Sequence, residues 1–432
     1  MRLHLILFWM LFLVCFTSNA SPRLTNPVFQ SLSTKNGLPQ DIVNDICIAN
    51  DGFIWIATEG GLARWDGVRA KQISGPDNIF FDTAIYKITL EGNEAVWIST
   101  YSNGIYRLDL ETQHVELIID IPFSNYSDWS QNAESFFWKS EHELVIALPE
   151  VVLLYDTETK KTTELAAFSE ELIEQTHLIR FAMMVDDVLI MATTDGVFTV
   201  DTTSKKRELN RLDYLAGTPK DDDNNNAKFL TLDDKDRLWI ATVNGVFKTS
   251  KAHFLAHIHG AAQPSFERVI SGKNVWTMRD AGEDSFWLGT NRGLALLQKK
   301  DNTWIFEHIL EPHNGRTELS DKRIKALQVD NAGNLWLSSI YGGALHFGVK
   351  SADIFSIQNS RYNEERALSD GVVWALAQTE PDTLWIGTEN GLNRYNFKTD
   401  KTEQYLTKQS SNITEGEALI QRVVPAGGGK LF

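Results

Sequence analysis

Cysteine is almost absent from this chain of 432 residues, which has only Cys15 and Cys47. Cys15 lies in an N-terminal apolar run that we expect to be removed, so the mature chain keeps Cys47 alone. A single cysteine forms no internal disulfide and is a poor basis for a metal site. The sequence therefore predicts a fold that is held together without disulfides.

Signatures of several enzyme classes are also missing. The chain has no Gly-x-Ser-x-Gly elbow, no phosphate-binding loop and no His-Glu-x-x-His motif. We therefore expect no cofactor and no catalytic residues. The carboxylate pair of a glycoside hydrolase or polysaccharide lyase stays open, because such pairs have no local signature and carboxylates are plentiful.

Basic charge is not in excess, since 41 Lys and Arg stand against 57 Asp and Glu, for a formal net charge of −16. Both signs are mixed along the chain, and phosphate-backbone binding usually needs a basic stripe. Nucleic acid is therefore not an expected partner. The acidic run Asp221–Asn226 is interpreted as a solvated loop rather than a calcium loop, because it lacks the glycine and the bidentate glutamate of an EF-hand.

Long apolar runs are confined to the N-terminus, where Met1-Arg2 precedes the run Leu5–Phe16 and the small residues Thr17–Ser21. This order predicts a secretory signal peptide over residues 1–20, cleaved after Ala20. A retained membrane anchor is the alternative, but a dozen apolar residues are short for a bilayer core of roughly 30 Å. We expect the mature protein in a periplasm.

An internal repeat dominates the remainder of the chain. A tryptophan or an apolar substitute returns every 42 to 50 residues, at Trp55, Trp97, Val145, Leu189, Trp239, Trp287, Trp336 and Trp385. The best copies include Phe53-Ile-Trp-Ile-Ala-Thr-Glu-Gly-Gly-Leu and Leu384-Trp-Ile-Gly-Thr-Glu-Asn-Gly-Leu. A period of this length indicates one supersecondary unit that is stacked many times.

Each repeat has the pattern of four short antiparallel strands. The alternating run Ile42–Ile48 and the turn Asn50-Asp-Gly52 indicate a hairpin that ends in the tryptophan strand. A Gly turn, a third run at Leu62–Trp65 and a weaker fourth run at Arg69–Ile73 follow. Helical spacing of apolar residues is not found, so the sequence predicts an all-β protein, a β-propeller of four-stranded antiparallel blades.

The tryptophans are predicted to be core residues, because they recur in nearly every blade and ligand-binding residues rarely do. A small residue follows each of them closely and is expected to let neighbouring blades approach: Ala57, Ser99, Ala147, Ala192, Ala241, Gly289, Ser338 and Gly387. His253, His257 and His259 could suggest a metal, but Phe254–His259 looks like an alternating strand with its histidines on one solvent face. We therefore predict no metal site.

These motifs resemble the two-component regulator propeller repeats, which occur in the periplasmic sensor regions of hybrid two-component histidine kinases and of membrane diguanylate cyclases. The resemblance covers roughly residues 27–432 and rests on Leu32–Pro39, Ile42–Ile46, Asp51–Asp66 and Asn331–Ser339. Repeats three and four lack the tryptophan, which leaves the blade limits between residues 115 and 215 open.

The resemblance implies two consecutive seven-bladed propellers followed by a membrane helix and a cytoplasmic kinase or cyclase as output partner. We expect a seven-bladed ring over residues 27–362, closed by the strand Val28–Leu32. Residues 363–432 would be the first blade and a partial second blade of a truncated second ring. A single eight-bladed ring is the alternative, and a homodimer is an open option.

Ligand-binding residues are expected in the loops that follow the tryptophan strands and in those between blades, since both sets share one face of a propeller. Aromatic, amide and guanidinium groups suit an oligosaccharide or another small polar ligand. The candidates, each of which could also be an ordinary turn residue, are Tyr101, Tyr126, Trp129, Asn244, Asn291, Arg292 and Tyr341. The leading hypothesis is a non-catalytic periplasmic ligand sensor, with a secreted polysaccharide enzyme and a protein-binding scaffold as alternatives.

Overall fold

The computed structural model describes most of the chain downstream of residue 28. The described ranges are 29–101, 104–120, 132–175, 177–212, 226–261, 265–310, 323–340, 342–348, 367–380, 382–399, 401–409 and 418–424. The predicted signal peptide, Tyr126, Trp129, Tyr341 and Asp221–Asn225 lie outside these ranges, so the predictions made for them stay predictions.

In the described residues, thirty-two short strands form eight four-stranded antiparallel sheets, and this confirms the predicted β-propeller class. Strand β1 is Gln30–Leu32. Blade 1 contains β2 Val43–Ile48, β3 Ile54–Thr58, β4 Gly61–Trp65 and β5 Ala70–Ile73. Blade 2 contains β6 Ile85–Glu91, β7 Ala95–Thr100, β8 Ile105–Asp109 and β9 Val115–Ile119. Blade 3 contains β10 Ser135–Trp138, β11 Glu143–Ala147, β12 Val151–Asp156 and β13 Lys161–Ala167.

The next blades repeat this order, with two α-helices inserted. Helix α1 is Glu170–Glu174. Blade 4 contains β14 Ile179–Val185, β15 Val188–Thr193, β16 Gly196–Asp201 and β17 Asn210–Leu212. Blade 5 contains β18 Ala227–Leu232, β19 Arg237–Thr242, β20 Gly245–Ser250, helix α2 Lys251–Ile258 and β21 Glu267–Ser271. Blade 6 contains β22 Val275–Gly282, β23 Ser285–Thr290, β24 Gly293–Lys300 and β25 Thr303–Leu310.

Blade 7 is completed by the start of the chain. Its own strands are β26 Ile324–Val329, β27 Asn334–Ser339 and β28 Gly343–Gly348, and β1 pairs with β28 as its fourth strand. Blade 8 contains β29 Val373–Glu380, β30 Thr383–Thr388, β31 Gly391–Asn396 and β32 Lys401–Tyr405. Two 3-10 turns, Thr34–Asn36 and Pro76–Asn78, lie in connecting loops.

The first seven blades are arranged in a cycle. Their inner strands contact one another in the order β2, β6, β10, β14, β18, β22 and β26, and β26 contacts β2. Strand β1 stabilises the contact between the last blade of the cycle and the first residues of the chain. Leu32 is buried opposite Ala344, and the Phe29 ring lies 4.6 Å from that of Phe347. Of the predicted closing strand Val28–Leu32, residues Gln30–Leu32 thus pair with β28, while Val28 lies outside the described residues.

Seven apolar clusters lie between successive blades, and each joins residues of two neighbours. The repeated tryptophans belong to them: Trp97 and Trp239 are fully buried, and Trp55, Trp287 and Trp336 are at most 3% exposed. Trp336 packs with Val43 and Ile46 of blade 1 and so closes the cycle. The prediction that the tryptophans are core residues is confirmed for these five and not for Trp385 of blade 8, which is outside the clusters.

In repeat four the core position that corresponds to the tryptophan is Ile190, one residue after the predicted Leu189. Thr193 Oγ1 donates to the Gly196 carbonyl at 3.0 Å, as Thr242 Oγ1 does to the Gly245 carbonyl. Trp239 lies three residues before Thr242, so its counterpart is Ile190, which packs toward blade 5. Leu189 faces blade 3 instead, and choosing it was wrong because the turn of two residues between β14 and β15 shortens this hairpin.

Close approach of blades is visible at Gly289. A Cβ at this position would lie 2.8 Å from the backbone oxygen of Ile324 in blade 7 and 2.6 Å from Thr277 Cγ2. The other small residues of this column in blades 1–7 are all buried as well. The predicted role at the blade interface is confirmed for Gly289, since a larger side chain there would push two blades apart.

The segment Lys251–Ile258 is a helix, so the prediction of an alternating strand over Phe254–His259 is wrong. Ser250 caps the helix by accepting a hydrogen bond from the His253 amide at 3.1 Å, and Phe254 is buried in the cluster between blades 4 and 5. One buried residue followed by a surface turn satisfies a helix as well as a strand, and the N-cap decides between them.

Blade 8 is less buried than the other blades. Trp385 is only half-buried, while Val373, Trp374 and Leu376 of its inner strand are exposed. The partial second blade predicted at the end of residues 363–432 is not strand in its described part, residues 418–424, although the Ile420 amide donates to the Thr388 carbonyl at 3.0 Å. Within the described ranges, none of the helices has the length and apolar character needed to span a membrane.

Candidate functional site

A ring of seven side chains, one from each of blades 1–7, lines the centre of the cycle. Six inner strands have a register irregularity just after their first paired residue, and in blade 3 the residue directly precedes β10. β-Bulges of this kind redirect side chains. We call this set the channel ring: Asn44, Tyr86, Glu134, Arg180, Lys228, Trp276 and Lys325.

The channel ring was missed by reading the sequence, although a signal was present. Six of its members lie eleven residues before the core position of the same repeat, as Lys228 does before Trp239. Arg180 lies ten residues before Ile190 because its hairpin is one residue shorter. A polar or charged column at a fixed distance from a core column, within a strand that otherwise alternates, is the pattern that would have found it.

The channel ring opens into a cavity of about 460 Å³, which falls in the size range of small-ligand sites. The cavity is lined by six basic side chains, Lys87, Arg180, Lys228, Arg279, Arg323 and Lys325, and by two acidic ones, Asp45 and Glu134. This local excess of positive charge stands in a chain whose net charge is −16. The net charge of the cavity lining is therefore positive, whereas that of the whole protein is negative.

One side of the channel ring is an internally satisfied network. The Asn44 amide donates to Glu59 Oε1 at 2.7 Å and to the Ile85 carbonyl at 3.0 Å. Lys325 Nζ donates to Asn44 Oδ1 at 3.5 Å, and the Tyr86 hydroxyl donates to Glu134 Oε2 at 3.4 Å. These contacts join blades 1, 2, 3 and 7 around the cavity.

The opposite side has donors in excess. Arg180 NH1 lies 3.7 Å from Glu134 Oε1, but Arg180 Nε is buried without a hydrogen-bond acceptor in the described structure. Trp276 Nε1 is buried and unpaired in the same sense. Lys228 Nζ lies 4.8 Å from the centre of the Trp276 ring, and no ion pair or hydrogen bond is found for it among the described residues.

Burial shifts the titration of the charged groups in the cavity. It raises the pKa of Glu134, although Arg180, Lys87 and Lys325 oppose the shift. Burial, assisted by the nearby Arg180, lowers the pKa of Lys228 to about 8. Burial and the charge of Asp45 raise the pKa of Cys47 to about 12, so this thiol is a poor nucleophile at neutral pH.

We expect Lys228→Met to be more stable than the wild type near pH 7, with an advantage that shrinks as the pH rises from 8 to 10.5. Below pH 8 the lysine is charged in both states, and the folded state carries the full cost of burying that charge. Between about 8 and its ordinary value of 10.5, the folded protein loses the proton first, so wild-type stability rises. The groups that face Lys228 are Arg180 on β14, Glu134 before β10 and Trp276 on β22.

Urea unfolding of both proteins at pH 7, 8, 9 and 10 checks this expectation. Lys35→Met, at an exposed position, is the matched control and should show no such pH-dependent difference. A stability difference between wild type and Lys228→Met that stays constant over this range would contradict it.

The predicted ligand residues are only partly brought together. Asn244, Asn291 and Arg292 line a second cavity of about 430 Å³ between blades 5 and 6, on the face that carries the loops after the tryptophan strands. We call it the loop-face cavity. Tyr101 follows β7 in blade 2, is half exposed and lies elsewhere on that face. Tyr126, Trp129 and Tyr341 lie outside the described residues.

The loop-face cavity also contains residues that the sequence did not suggest. Lys273 Nζ lies 4.8 Å from the centre of the Phe306 ring, and the His308 ring lies edge-on to Phe306 at 4.9 Å. Asn274 Oδ1 is buried and accepts no hydrogen bond from the described residues. The cavity thus combines cations, amides and an aromatic face.

Metal ligands are not clustered in the described residues, where no three His, Cys, Asp or Glu side chains come together. Helix α2 places His253 and His257 one turn apart, and this pair is not joined there by a third ligand.

Comparisons with known proteins agree with this architecture. A family model for the two-component regulator propeller matches residues 37–60 and 367–390, in the first and eighth repeats. A solved structure described as the extracellular domain of a hybrid two-component system, BT3049 of B. thetaiotaomicron, is similar at 18% identity, with a TM-score of 0.66. The match covers 94% of this chain and 52% of that one, so this chain spans about half its length.

Two further solved structures share the fold. The extracellular domain of the hybrid system BT4673 of B. thetaiotaomicron matches with a TM-score of 0.56 and 16% identity, over 94% of this chain and 51% of that one. Virginiamycin B lyase of Staphylococcus aureus matches with a TM-score of 0.53 and 11% identity, over 74% of this chain and 98% of that one. At these identities the likeness concerns the fold alone.

No curated protein sequence matches this chain. The repeated tryptophan motif, the eight four-stranded sheets and the matches of the family model in two separate repeats nonetheless agree. The chain is a β-propeller whose first and eighth repeats match the model of the two-component regulator propeller.

Proposed function

We propose that this chain is the non-catalytic ligand-sensing part of a periplasmic signal-transduction receptor. The family supports the receptor role, and the loop-face cavity carries the proposal for ligand binding. It gathers Asn244, Asn291 and Arg292 from two neighbouring blades around one opening. A small polar ligand, such as a neutral or weakly charged oligosaccharide, fits this set of groups.

The chemistry of the loop-face cavity suits a sugar. Amide groups pair with hydroxyls in both directions, and the buried oxygen of Asn274 can accept a hydrogen bond from a sugar hydroxyl. The Phe306 ring offers an apolar face on which a sugar ring can stack. Tyr101, Tyr126, Trp129 and Tyr341 remain candidates for an extended site on the same face.

The receptor organisation is part of the same proposal. Residues 27–362 would form the closed ring, and residues 363–432 would begin a second one, as the exposed inner strand of blade 8 suggests. A neighbouring blade would cover Trp374 and Leu376 there. A histidine kinase or diguanylate cyclase region would then be the output partner, and a homodimer a further arrangement.

Calorimetry of the purified chain against a panel of neutral glycans tests ligand binding. We expect one or more glycans to bind, and Arg292→Ala to weaken binding by about tenfold or more, since a lost charged hydrogen bond costs about 1.5–3 kcal/mol. Asn244→Ala should weaken binding severalfold, since a neutral hydrogen bond contributes about 0.5–1.5 kcal/mol. Lys300→Ala, at an exposed position of blade 6, is the matched control.

Other results would support the alternative functions. Depolymerised product after long incubation would identify an enzyme. If no glycan binds and a periplasmic protein does, the scaffold role would replace the sensor.

A further inference from the structure

The strongest unexplained feature is the group of donors that Arg180, Lys228 and Trp276 present on three successive blades. Arg180 Nε and Trp276 Nε1 are buried without acceptors in the described structure, where Lys228 Nζ lies 4.8 Å from the centre of the Trp276 ring and has no ion pair or hydrogen bond. An unsatisfied buried polar group costs about 1–3 kcal/mol. Two such donors beside the Lys228 ammonium group indicate a binding site, in which a ligand would supply the missing hydrogen-bond acceptors.

We propose that the central cavity is a binding site for a small organic anion, whose oxyanion group accepts hydrogen bonds from Arg180, Lys228 and Trp276. The site is distinct from the loop-face cavity, and it stands whether or not that cavity binds a glycan.

The chemistry of the donors favours an anion over water. A water molecule that accepts two hydrogen bonds must also donate two, whereas a carboxylate, phosphate or sulfate oxygen only accepts. The nearest carboxylate, Glu134, is already engaged by Arg180 NH1 and by the Tyr86 hydroxyl. Hydrogen bonds between charged partners are roughly twice as strong as neutral ones. An oxyanion would therefore bind these three donors more strongly than a neutral acceptor.

The net charge of the cavity also favours an anionic ligand. Six basic side chains against two acidic ones leave an excess of positive charge in a confined space, where fields are screened less than at the surface. Lys87 is paired with Asp45 at 3.7 Å and Arg279 donates to the Leu327 carbonyl at 2.8 Å. Lys87 and Arg279 are thus engaged by other groups of the protein, and Lys228 is left to meet a ligand.

The cavity volume limits the size of the ligand. About 460 Å³ admits an organic acid or a single acidic sugar rather than a polymer. The rings of Tyr86, Trp276 and Phe229 line the same space and provide apolar surface for the body of such a molecule.

Calorimetry of the purified chain with inorganic phosphate, inorganic sulfate and succinate tests the proposal, with glucose as the neutral probe. We expect at least one anion to bind and glucose not to bind in this cavity. Lys228→Met and Arg180→Gln should each weaken anion binding about tenfold or more. The three anions also distinguish phosphate, sulfate and carboxylate as the preferred group.

Two further variants test the same hydrogen bonds without removing a charge, in case Lys228→Met or Arg180→Gln disturbs folding. Arg180→Lys retains the charge but loses the Nε–H donor, and Trp276→Phe retains the ring but loses the indole N–H. Each should weaken binding severalfold while the melting temperature stays near that of the wild type. Lys35→Met, at an exposed position outside both cavities, is the control and should leave anion binding unchanged.

The pH profile adds an independent readout. Anion affinity should fall as the pH rises from 7 to 9.5, because Lys228 must carry its proton to bind, and Lys228→Met should lose most of this dependence. Absence of binding by all three anions to the folded chain overturns the proposal. Equal losses in Lys35→Met and Lys228→Met would also overturn it, since they would indicate nonspecific attraction.

Discussion

Trp239→Ala is expected to lower the free energy of unfolding by about 3–5 kcal/mol, the usual cost of deleting a large aromatic from a packed core. Trp239 is fully buried between blades 5 and 6, with its ring 4.4 Å from that of Phe286 and 5.4 Å from that of Trp304. Its indole N–H also donates to Asp233 Oδ2 at 2.8 Å. The substitution would leave a cavity and would remove one of the two hydrogen bonds that Asp233 Oδ2 accepts, the other coming from Arg237 Nε at 2.6 Å.

Urea unfolding of the two proteins measures this loss. Tyr101→Ala is the matched control, because it also deletes an aromatic side chain but from a half-exposed position, and it should cost less than about 1 kcal/mol. Similar losses for both would show that Trp239 does not hold two blades together.

Deleting residues 29–33 is expected to abolish cooperative unfolding of the ring or to lower its stability by about 5 kcal/mol or more, a large part of a domain's whole stability. The deletion removes three paired residues of β1, the buried Leu32 and the contact of Phe29 with Phe347. It leaves the edge of β28 open at the point where the cycle closes. Leu32→Ala alone should cost about 2–5 kcal/mol.

Removal of residues 363–432 is the matching truncation at the other end and should leave the ring folded. The seven clusters between blades are built from residues of the ring itself. Limited proteolysis and thermal melting compare the two truncated proteins. If the C-terminal truncation melts as poorly as the N-terminal one, blade 8 belongs to the closed unit and the eight-bladed alternative is correct.

The local pattern of this sequence determined the blades. The tryptophan, the small residue two positions later and the Thr-x-x-Gly turn recur within a dozen residues, and each acts on its immediate neighbours in a hairpin. Gly245 shows why: it has a positive φ of 146°, and the backbone oxygen of Ile270 on the next strand leaves no room for a Cβ. Steric constraints between residues that are close together in the chain can be predicted from sequence alone.

The closing strand was also predictable, because the pattern of Val28–Leu32 matches the strand that the last blade lacks. The helix at Lys251–Ile258 was not, since its single buried residue, Phe254, fits either periodicity. The core position of repeat four was missed for a related reason. A hairpin one residue shorter moves every side chain beyond it to the opposite face.

Only the tertiary structure decided which side chains meet at the centre. Arg180, Lys228 and Trp276 are 48 residues apart in succession, and nothing local relates one to the next. The bulge turns each of them inward, and the closed cycle of seven inner strands brings them to one cavity. A sequence specifies each blade through neighbouring residues, but the chemistry of a propeller's centre arises from the closure of the ring.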